Sequence, residues 1–358
     1  VARGSARVAR SVVSASALAP TAGRSMLQVR IAGIGSAAPA ATVSNVDLES
    51  VVETSDEWIS KRTGISKRHL LSADESISDL AIDAARHAIK HAGIAAEDID
   101  IIVLATSSPD DLFGDAAHVG AQIGATKAVA FDLTAACSGF LFSVVTASQF
   151  LHTGAYKHAL VIGADALSRW VDWDDRNTCI LFGDGAGAVV MSASDEGSAA
   201  GCGVLGFEMR SDGSGRCQLN LGYTGEPRQL SAEAGSVSQG AYRRIAMNGK
   251  EVYKFACSRV PEVLESALAN AGMGADEVDW LLLHQANIRI IEAVASRLGI
   301  PLEKVIANLD EYGNTSAASI PLALDEAVKS GKVKPGDIIA CAGFGAGLSW
   351  GAAILRWG

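Results

Sequence analysis

The sequence predicts a layered α/β fold built from two copies of one ancestral unit. Two observations support this prediction: an internal repeat with a period near 178 residues, and short apolar runs that alternate with amphipathic helical segments. Strands that alternate with helices imply parallel pairing, with helices packed on the faces of a sheet. We therefore expect a duplicated αβαβα fold of five layers, with one half over about residues 27–198 and the other over 199–358.

The repeat contains two matches in the same order. Residues 92–104 end a helix at glycine, pass through a short acidic connector and enter an apolar run, and residues 271–283 do the same at an offset of 179. Short, wholly apolar runs are typical of strands that are buried on both faces. A second match relates residues 154–162 to residues 331–339 at an offset of 177. Two matches in one order make chance similarity a weak explanation.

The chain begins with a segment unlike the rest. Residues 1–25 contain four Arg, five Ser and no acid. This composition is typical of an organelle transit peptide, although a disordered tail could share it. Apolar residues make up 49 % of the whole chain, yet no apolar run reaches the roughly 18 residues of a membrane-spanning helix. We therefore expect a leader followed by a compact globular body without a membrane span.

Charge and cysteine content exclude some functions. The whole chain has 30 bases and 40 acids, and four of the bases lie in residues 1–25, so the remainder carries 26 bases against 40 acids, a net of −14. This excess of acid argues against nucleic acid as a partner. The six cysteines form no CxxC pair and have no histidine at metal-ligand spacing, so we expect no metal site. An even number permits disulfides, but in a chain this long with a large core we expect reduced thiols.

Three residues stand at chemically useful places in the repeat. Cys137 precedes a long apolar helix over residues 140–151, and a helix N-terminus favours the thiolate and lowers the thiol pKa. At an offset of 177 its counterpart is Asn314, which precedes a helix over residues 317–329. His284 directly follows the buried strand of the second copy, at the sheet edge where open α/β folds form their sites.

Taken singly, each of these residues also has a purely structural interpretation. Cys137 fits a small buried packing residue, Asn314 a helix cap, and His284 a hydrogen-bonded polar group at a strand end. As a set, a nucleophile and two hydrogen-bond donors indicate acyl transfer. The glycine-rich segment 343–351 is either a tight turn between strands or a source of backbone N–H groups for an oxyanion.

Six segments resemble the signatures of the β-ketoacyl-acyl-carrier-protein synthase III family, whose fold is the duplicated thiolase fold. The resemblance runs from about residue 28 to the C-terminus, and the sequence His-Gln-Ala-Asn is its most specific part. The segments are residues 58–65, 136–139, 182–187, 284–290, 313–317 and 344–347.

The resemblance implies a reaction in two stages. Acetyl-CoA acylates Cys137 and CoA leaves; malonyl-acyl carrier protein (malonyl-ACP) then loses CO₂, and its enolate attacks the acyl-enzyme to give acetoacetyl-ACP, which starts type II fatty acid synthesis. His284 and the Asn314 amide would donate to the malonyl thioester oxygen, and the backbone N–H groups of Cys137 and Ala346 to the acyl oxyanion. Ala346 stands where many relatives have glycine, which constrains its dihedral angles. Acetyl-CoA is a substrate, and no cofactor is implied.

The resemblance also assigns contacts with CoA. Trp58 and Arg176 would sandwich the adenine ring. Arg62, Asn287 and Gly249 would contact the phosphates or the pantetheine arm.

Further residues are assigned to the leaving carboxylate and to protein partners. Phe344 would shield the place where the carboxylate leaves. Phe113 would reach the acyl pocket of a second copy, which implies a homodimer. Arg289, Lys254 and Arg297 would meet the acidic carrier protein, although each could instead be a solvated surface charge.

Other functions stay open beside this one. A thiolase uses a second cysteine ahead of a C-terminal glycine turn, and Cys341 precedes Gly343, although Phe344 takes that position in the family register. A secondary-metabolite ketosynthase would use other acyl-CoA primers, and an inactive scaffold would only bind the carrier protein. The residues after the leader resemble cyanobacterial proteins. This resemblance, together with the leader, predicts a plastid stroma rather than a mitochondrion or a bacterial-type cytoplasm.

Overall fold

The computed structural model describes residues 27–194, 203–231 and 235–358. The predicted leader and the predicted boundary between the halves lie outside these residues. The α-helices are α1 (Asn45–Leu48), α2 (Asp56–Thr63), α3 (Ile77–Ala92), α4 (Ala116–Ile123), α5 (Gly139–His152), α6 (Gly249–Ala271), α7 (Ile288–Leu298), α8 (Leu309–Tyr312) and α9 (Ser319–Lys329). The strands are β1 (Gln28–Ala37), β2 (Thr42–Ser44), β3 (Lys67–His69), β4 (Ile101–Ala105), β5 (Val129–Leu133), β6 (His158–Ala166), β7 (Asp184–Ser194), β8 (Gly203–Ser211), β9 (Leu219–Asn220), β10 (Tyr223–Gln229), β11 (Ser236–Tyr242), β12 (Ala246–Met247), β13 (Trp280–Leu283), β14 (Val305–Ile306), β15 (Ile338–Gly345) and β16 (Ser349–Arg356).

Two five-stranded sheets have the same strand order. The first runs β1-β7-β6-β4-β5, and the second runs β8-β16-β15-β13-β14 when read from the corresponding edge. In both sheets the last three strands pair in parallel and the first two pairings are antiparallel. The predicted parallel pairing is therefore right for three strands of each sheet. It fails for the others because the chain returns from β6 to β7, and from β15 to β16, without a crossover helix.

The elements stack in five layers. α3 and α4 cover the outer face of the first sheet, α6 and α7 cover the outer face of the second, and α5 and α9 lie between the sheets. The central core combines Val144 of α5, Leu324 of α9, Val161 of β6 and Ile339 of β15. Burial of one such side chain stabilises the fold by about 1.5–3 kcal/mol. The predicted duplicated αβαβα fold is confirmed.

Glycines end the corresponding outer helices of the two copies. α3 ends at Gly93 with φ of 66°, and α6 ends at Gly272 with φ of 70°. This left-handed conformation strains any residue with a Cβ atom, so glycine is the residue that closes a helix this way at little cost. The repeat at an offset of 179 is thus a repeat of helix ends as well as of buried strands.

The two copies also correspond at the start of the middle helices, but the offset there is 180. In the described part of the chain, two residues other than glycine have a left-handed backbone, Ala136 (φ 48°) and Ser316 (φ 52°), and each precedes a middle helix. The counterpart of Cys137 is therefore Ala317, and its predicted equivalence to Asn314 is wrong. The offset of 177 applies only after these helices, because α9 has 11 residues and α5 has 14.

Among the described residues, none of the helices has the length and apolar character of a membrane span. Over the same residues, no three His, Cys, Asp or Glu side chains are grouped so that they could hold a metal ion.

Candidate active site

Cys137 lies in the turn Ala136–Ser138, immediately before α5. Its thiol is buried, and Ser316 Oγ donates a hydrogen bond to Sγ at 3.3 Å. Burial raises the pKa of the Cys137 thiol to about 12; the Ser316 hydrogen bond lowers it, and the nearby Asp165 charge raises it further. The predicted lowering of the pKa at the helix N-terminus is therefore outweighed by burial in this structure.

His284 directly follows β13, as predicted, and its ring is buried. Nδ1 lies 2.7 Å from Ser319 Oγ, and the ring packs edge-on against Phe344 with centroids 5.2 Å apart. Burial lowers the pKa of His284 to about 3. The imidazole is therefore neutral at neutral pH, and it can act through hydrogen bonds rather than through charge.

Asn314 is held by a loop of the first half. Its backbone N donates to Leu181 O at 2.8 Å, and its carbonyl accepts from Gly183 N at 3.0 Å. In the side chain, Oδ1 accepts from Ser316 N at 3.0 Å. With Oδ1 held by the backbone, Nδ2 is left as the group that can donate to a substrate.

A cavity of about 890 Å³ has Cys137, His284 and Asn314 in its wall. Six other residues singled out from the sequence line the same cavity. They are Trp58, Arg62, Gly249, Asn287, Arg289 and Phe344. Lys250 and Tyr253 of α6 also line it, and sequence analysis did not single them out. The fold thus brings residues from distant parts of both halves to one site.

A second cavity, of about 1100 Å³, also reaches Cys137. Phe113 and Ala346 line this second cavity rather than the first. In the turn that follows β15, the left-handed backbone falls on Gly347 (φ 130°) and not on Ala346. Alanine is therefore accommodated at position 346 without the strain that a left-handed backbone would impose.

Arg176 lies over the ring of Trp58, at 5.2 Å from its centroid, and Arg62 lies at 4.5 Å. A flat ring inserted between Trp58 and Arg176 needs two contact layers of about 3.5 Å each. Arg176 would therefore have to move outward for an adenine to fit at the predicted place. Such a movement would also change the hydrogen bond from Arg176 Nη1 to Glu53 O, which is 3.1 Å long.

The three basic residues predicted to meet a partner are not all at the cavity. Arg289 lines it. Lys254 is an exposed residue of α6, paired with Glu251 at 2.7 Å, and Arg297 is exposed in the last turn of α7. These two lie outside both cavities, on two helices that pack against each other.

Two serines near the site were missed in the sequence analysis. Ser316 donates to Cys137, and Ser319 contacts His284. Both follow Asn314 closely, where the run of small polar residues was interpreted as helix-cap chemistry. A signal was therefore present, but the partners of these hydroxyls are far away in the chain.

Asp165 was also missed. This buried carboxylate accepts hydrogen bonds from Ser107 N at 2.7 Å, Ser108 Oγ at 2.8 Å and Ala317 N at 3.2 Å. Burial raises the pKa of Asp165. An acid near the end of an otherwise apolar strand was the signal that could have revealed it.

Cys341, the second cysteine of the thiolase alternative, lies in the core between the two sheets. It lines neither cavity, whereas Phe344 of the same strand lines the first. Burial raises the pKa of the Cys341 thiol to about 12. This cysteine is a packing residue.

The fold and this arrangement of side chains define a condensing acyltransferase of the thiolase fold. The protein-family model of 3-oxoacyl-[acyl-carrier-protein] synthase III matches residues 131–213, and the family model of its C-terminal part matches residues 268–357. The β-ketoacyl-[acyl-carrier-protein] synthase III of Trichormus variabilis is 59 % identical over 93 % of this chain and 99 % of its own length, and that of Microcystis aeruginosa is 61 % identical over 92 % and 98 %. The crystal structure of the synthase III from Aquifex aeolicus superposes with a TM-score of 0.83 at 43 % identity, over 92 % of this chain and 100 % of that one. The chain belongs to the β-ketoacyl-acyl-carrier-protein synthase III family.

Proposed function

We propose that this protein catalyses the first condensation of type II fatty acid synthesis, in which acetyl-CoA and malonyl-ACP give acetoacetyl-ACP, CoA and CO₂. The observation that supports this most is the presence of Cys137, neutral His284 and Asn314 in the wall of one cavity. The first supplies a nucleophile, and the other two supply donors for a developing oxyanion. Acetyl-CoA is a substrate, and the reaction needs no separate cofactor.

In the first stage, Cys137 Sγ attacks the acetyl thioester carbon, the bond to the CoA sulfur breaks, and the thiol proton leaves with CoA. The negative charge on the tetrahedral oxygen is stabilised by the backbone N–H groups of Cys137 and Ala346. Gly345 supports this role, because a Cβ atom there would lie 2.8 Å from Cys137 N. Because burial raises the thiol pKa, the attack must include removal of the thiol proton.

In the second stage, loss of CO₂ places negative charge on the malonyl thioester oxygen. His284 Nε2 and Asn314 Nδ2 donate to this oxygen. A neutral donor is sufficient, because charge on the oxygen develops only in the reaction. The buried ring of Phe344 beside His284 disfavours the charged carboxylate relative to neutral CO₂.

We assign the part of the first cavity that is lined by Trp58 to the binding of CoA. Adenine would lie between Trp58 and Arg176, and Arg62, Asn287 and Gly249 would contact the phosphates or pantetheine. A Cβ at Gly249 would meet the side chain of Met247 at an ordinary contact distance of 3.8 Å, which is consistent with an uncrowded wall at this position.

The carrier protein would dock beside the cavity mouth, on α6 and α7. Arg289, Lys254 and Arg297 are the basic residues for an acidic partner, on a body whose net charge is otherwise negative. Arg289 would connect the cavity with this surface, because it is an exposed residue of α7 that also lines the cavity.

We also propose a homodimer. Strand β5 is an edge strand that exposes Val129 (49 %) and Phe131 (36 %), and the neighbouring Phe113 is 100 % exposed. Unpaired edges with exposed apolar side chains favour pairing with another strand. Phe113 would then enter the second cavity of the partner, as the acyl-pocket role requires.

For the location, we propose a plastid. The Arg- and Ser-rich start and the similarity of the body to cyanobacterial relatives support it. Import of a fluorescent fusion of residues 1–25 into isolated chloroplasts, compared with mitochondria, tests this.

The reaction is tested by incubating the purified chain with acetyl-CoA and malonyl-ACP, and with a panel of longer acyl-CoA primers. We expect acetoacetyl-ACP from acetyl-CoA, and an acetyl mass gain on Cys137 when malonyl-ACP is omitted. Condensation without malonyl groups would indicate a thiolase, a preference for longer primers a secondary-metabolite ketosynthase, and no mass gain a scaffold.

A separate experiment tests the assignment of His284 and Asn314 to the second stage of the reaction. We expect His284→Ala and Asn314→Ala to impair malonyl decarboxylation more than acetylation of Cys137, because their donors serve the malonyl oxygen. Equal loss of both stages contradicts this assignment.

A further inference from the structure

The hydroxyl of Ser319 makes one contact that bears on the proposed chemistry. Ser319 is the first residue of α9, and its Oγ lies 2.7 Å from Nδ1 of His284. Both side chains are buried. Within the described part of the chain, His284 is the hydrogen-bond partner of the Ser319 hydroxyl.

The buried pair constrains the position of the imidazole proton. If Nδ1 carried the proton, it would donate to Ser319 Oγ, and the serine proton would have no acceptor; an unsatisfied buried group costs about 1–3 kcal/mol. If Nδ1 is unprotonated, the serine donates to it and both groups are satisfied. The ring proton then lies on Nε2, and the low pKa of His284 keeps the ring from carrying both protons.

The first copy of the fold shows that packing alone does not require this pair. At the corresponding place, the last residue of β4 is Ala105 and the first residue of α5 is Gly139. A Cβ at Gly139 would lie 3.1 Å from Ala105 Cβ, so the strand end and the helix start meet there without polar groups. The first copy therefore has an apolar contact at this place, and the second copy replaces it with a polar pair.

We propose that Ser319 is a positioning residue that holds His284 in the Nε2–H tautomer, with Nε2 as the donor to the malonyl thioester oxygen. The proposal rests on the proposed function for its catalytic consequence, but the tautomer itself can be observed independently. Substitution of the hydroxyl removes the preference and lets the two tautomers mix. We expect Ser319→Ala to slow malonyl decarboxylation about tenfold, a smaller loss than removal of a whole oxyanion donor.

The direct test is the ¹⁵N spectrum of the histidine-labelled full chain, with His284→Gln used to assign the His284 signals. We expect an unprotonated Nδ1 and a protonated Nε2 in the unsubstituted protein, and averaged signals in Ser319→Ala. The variant Ser319→Thr keeps a hydroxyl and should restore the tautomer. A protonated Nδ1 in the unsubstituted protein, or an unchanged tautomer in Ser319→Ala, overturns the proposal even if one variant does not fold.

Activity measurements then separate this proposal from the proposed function. In Ser319→Ala, acetylation of Cys137 should stay within about twofold while decarboxylation falls. The matched control is Ser330→Ala at the other end of α9, where Oγ donates to the helix carbonyl of Ala327 at 3.1 Å; neither stage should change. If the unsubstituted protein shows the expected tautomer but catalyses no condensation, the proposed function is refuted and the tautomer assignment is not. If Ser319→Ala slows both stages equally, the positioning role is refuted.

Discussion

The turns Ala136–Ser138 and Ser316–Ala318 are the same element in the two copies of the fold, yet they have different chemical surroundings. Each begins with a left-handed residue and leads into a middle helix. Each is also approached closely by a glycine of the opposite half. A Cβ at Gly163 would lie 2.3 Å from Ala317 O, and a Cβ at Gly343 would lie 3.1 Å from the Cα atom of Ser138.

The difference lies two residues further along the same strands. After Gly163 comes Asp165, whose carboxylate accepts from Ala317 N at 3.2 Å. After Gly343 comes Gly345, which has no side chain to place before Cys137 N. The amide of the second turn is therefore capped by a side chain of the protein. At the corresponding place before the first turn there is no side chain, which fits the proposed binding of a substrate oxygen by Cys137 N.

The largest expected effect is on the turn at Cys137. Cys137→Ala should abolish the acetyl mass gain and lower priming at least about a thousandfold, which corresponds to about 4 kcal/mol of transition-state stabilisation. Intact-protein mass spectrometry after incubation with acetyl-CoA measures it. The matched control Cys341→Ala removes a core thiol that lines neither cavity and should keep the mass gain; the reverse pattern would favour a thiolase.

The next effect tests the open amide directly. Gly345→Ala places a Cβ within 2.8 Å of Cys137 N, so the turn must shift. We expect the acetylation rate to fall by about 10- to 100-fold, the scale of a misplaced oxyanion donor. Gly213→Ala is the control, because a Cβ there meets nothing within 4 Å. Single-turnover kinetics measure both variants, and a normal rate in Gly345→Ala would remove the distinction between the two turns.

The third effect is a dependence of stability on pH at His284, whose counterpart in the first copy is Ala105. Burial lowers its pKa from 6.5 to about 3, so the unfolded chain binds the proton first as the pH falls. Stability should therefore be lost as the pH drops from about 6.5 toward 3, by up to about 5 kcal/mol over the whole range. Urea unfolding of the unsubstituted protein and of His284→Gln across this pH range measures the contribution of His284 as the difference between their free energies of unfolding. Parallel pH curves for the two proteins would contradict it.

The smallest effect concerns the support of the first turn. Ser138 Oγ donates to Ala135 O at 2.8 Å and lies 3.1 Å from Ser349 O. Ser138→Ala should cost about 1 kcal/mol in the free energy of unfolding, the usual net value of a buried hydrogen bond. Chemical denaturation measures this change. A loss of acetylation comparable to that of Gly345→Ala would show that the hydroxyl also takes part in the chemistry.

The sequence by itself was sufficient for the repeated architecture. Helix ends at Gly93 and Gly272, followed by buried apolar strands, are local patterns that need no knowledge of distant contacts. The positions of Cys137 and His284 relative to their helix and strand were predictable for the same reason. The roles assigned by the six family-like segments stay proposals that the experiments above test.

Only the tertiary structure decided how the copies correspond and how each group is tuned. The true counterpart of Cys137 is Ala317, which depends on the unequal lengths of α5 and α9. The partner of Cys137 is Ser316, which is 179 residues away in the chain, and burial between the two halves raises the thiol pKa against the expected direction. Such contacts and desolvation arise from the packing of one half on the other, and no local pattern along a single chain specifies them.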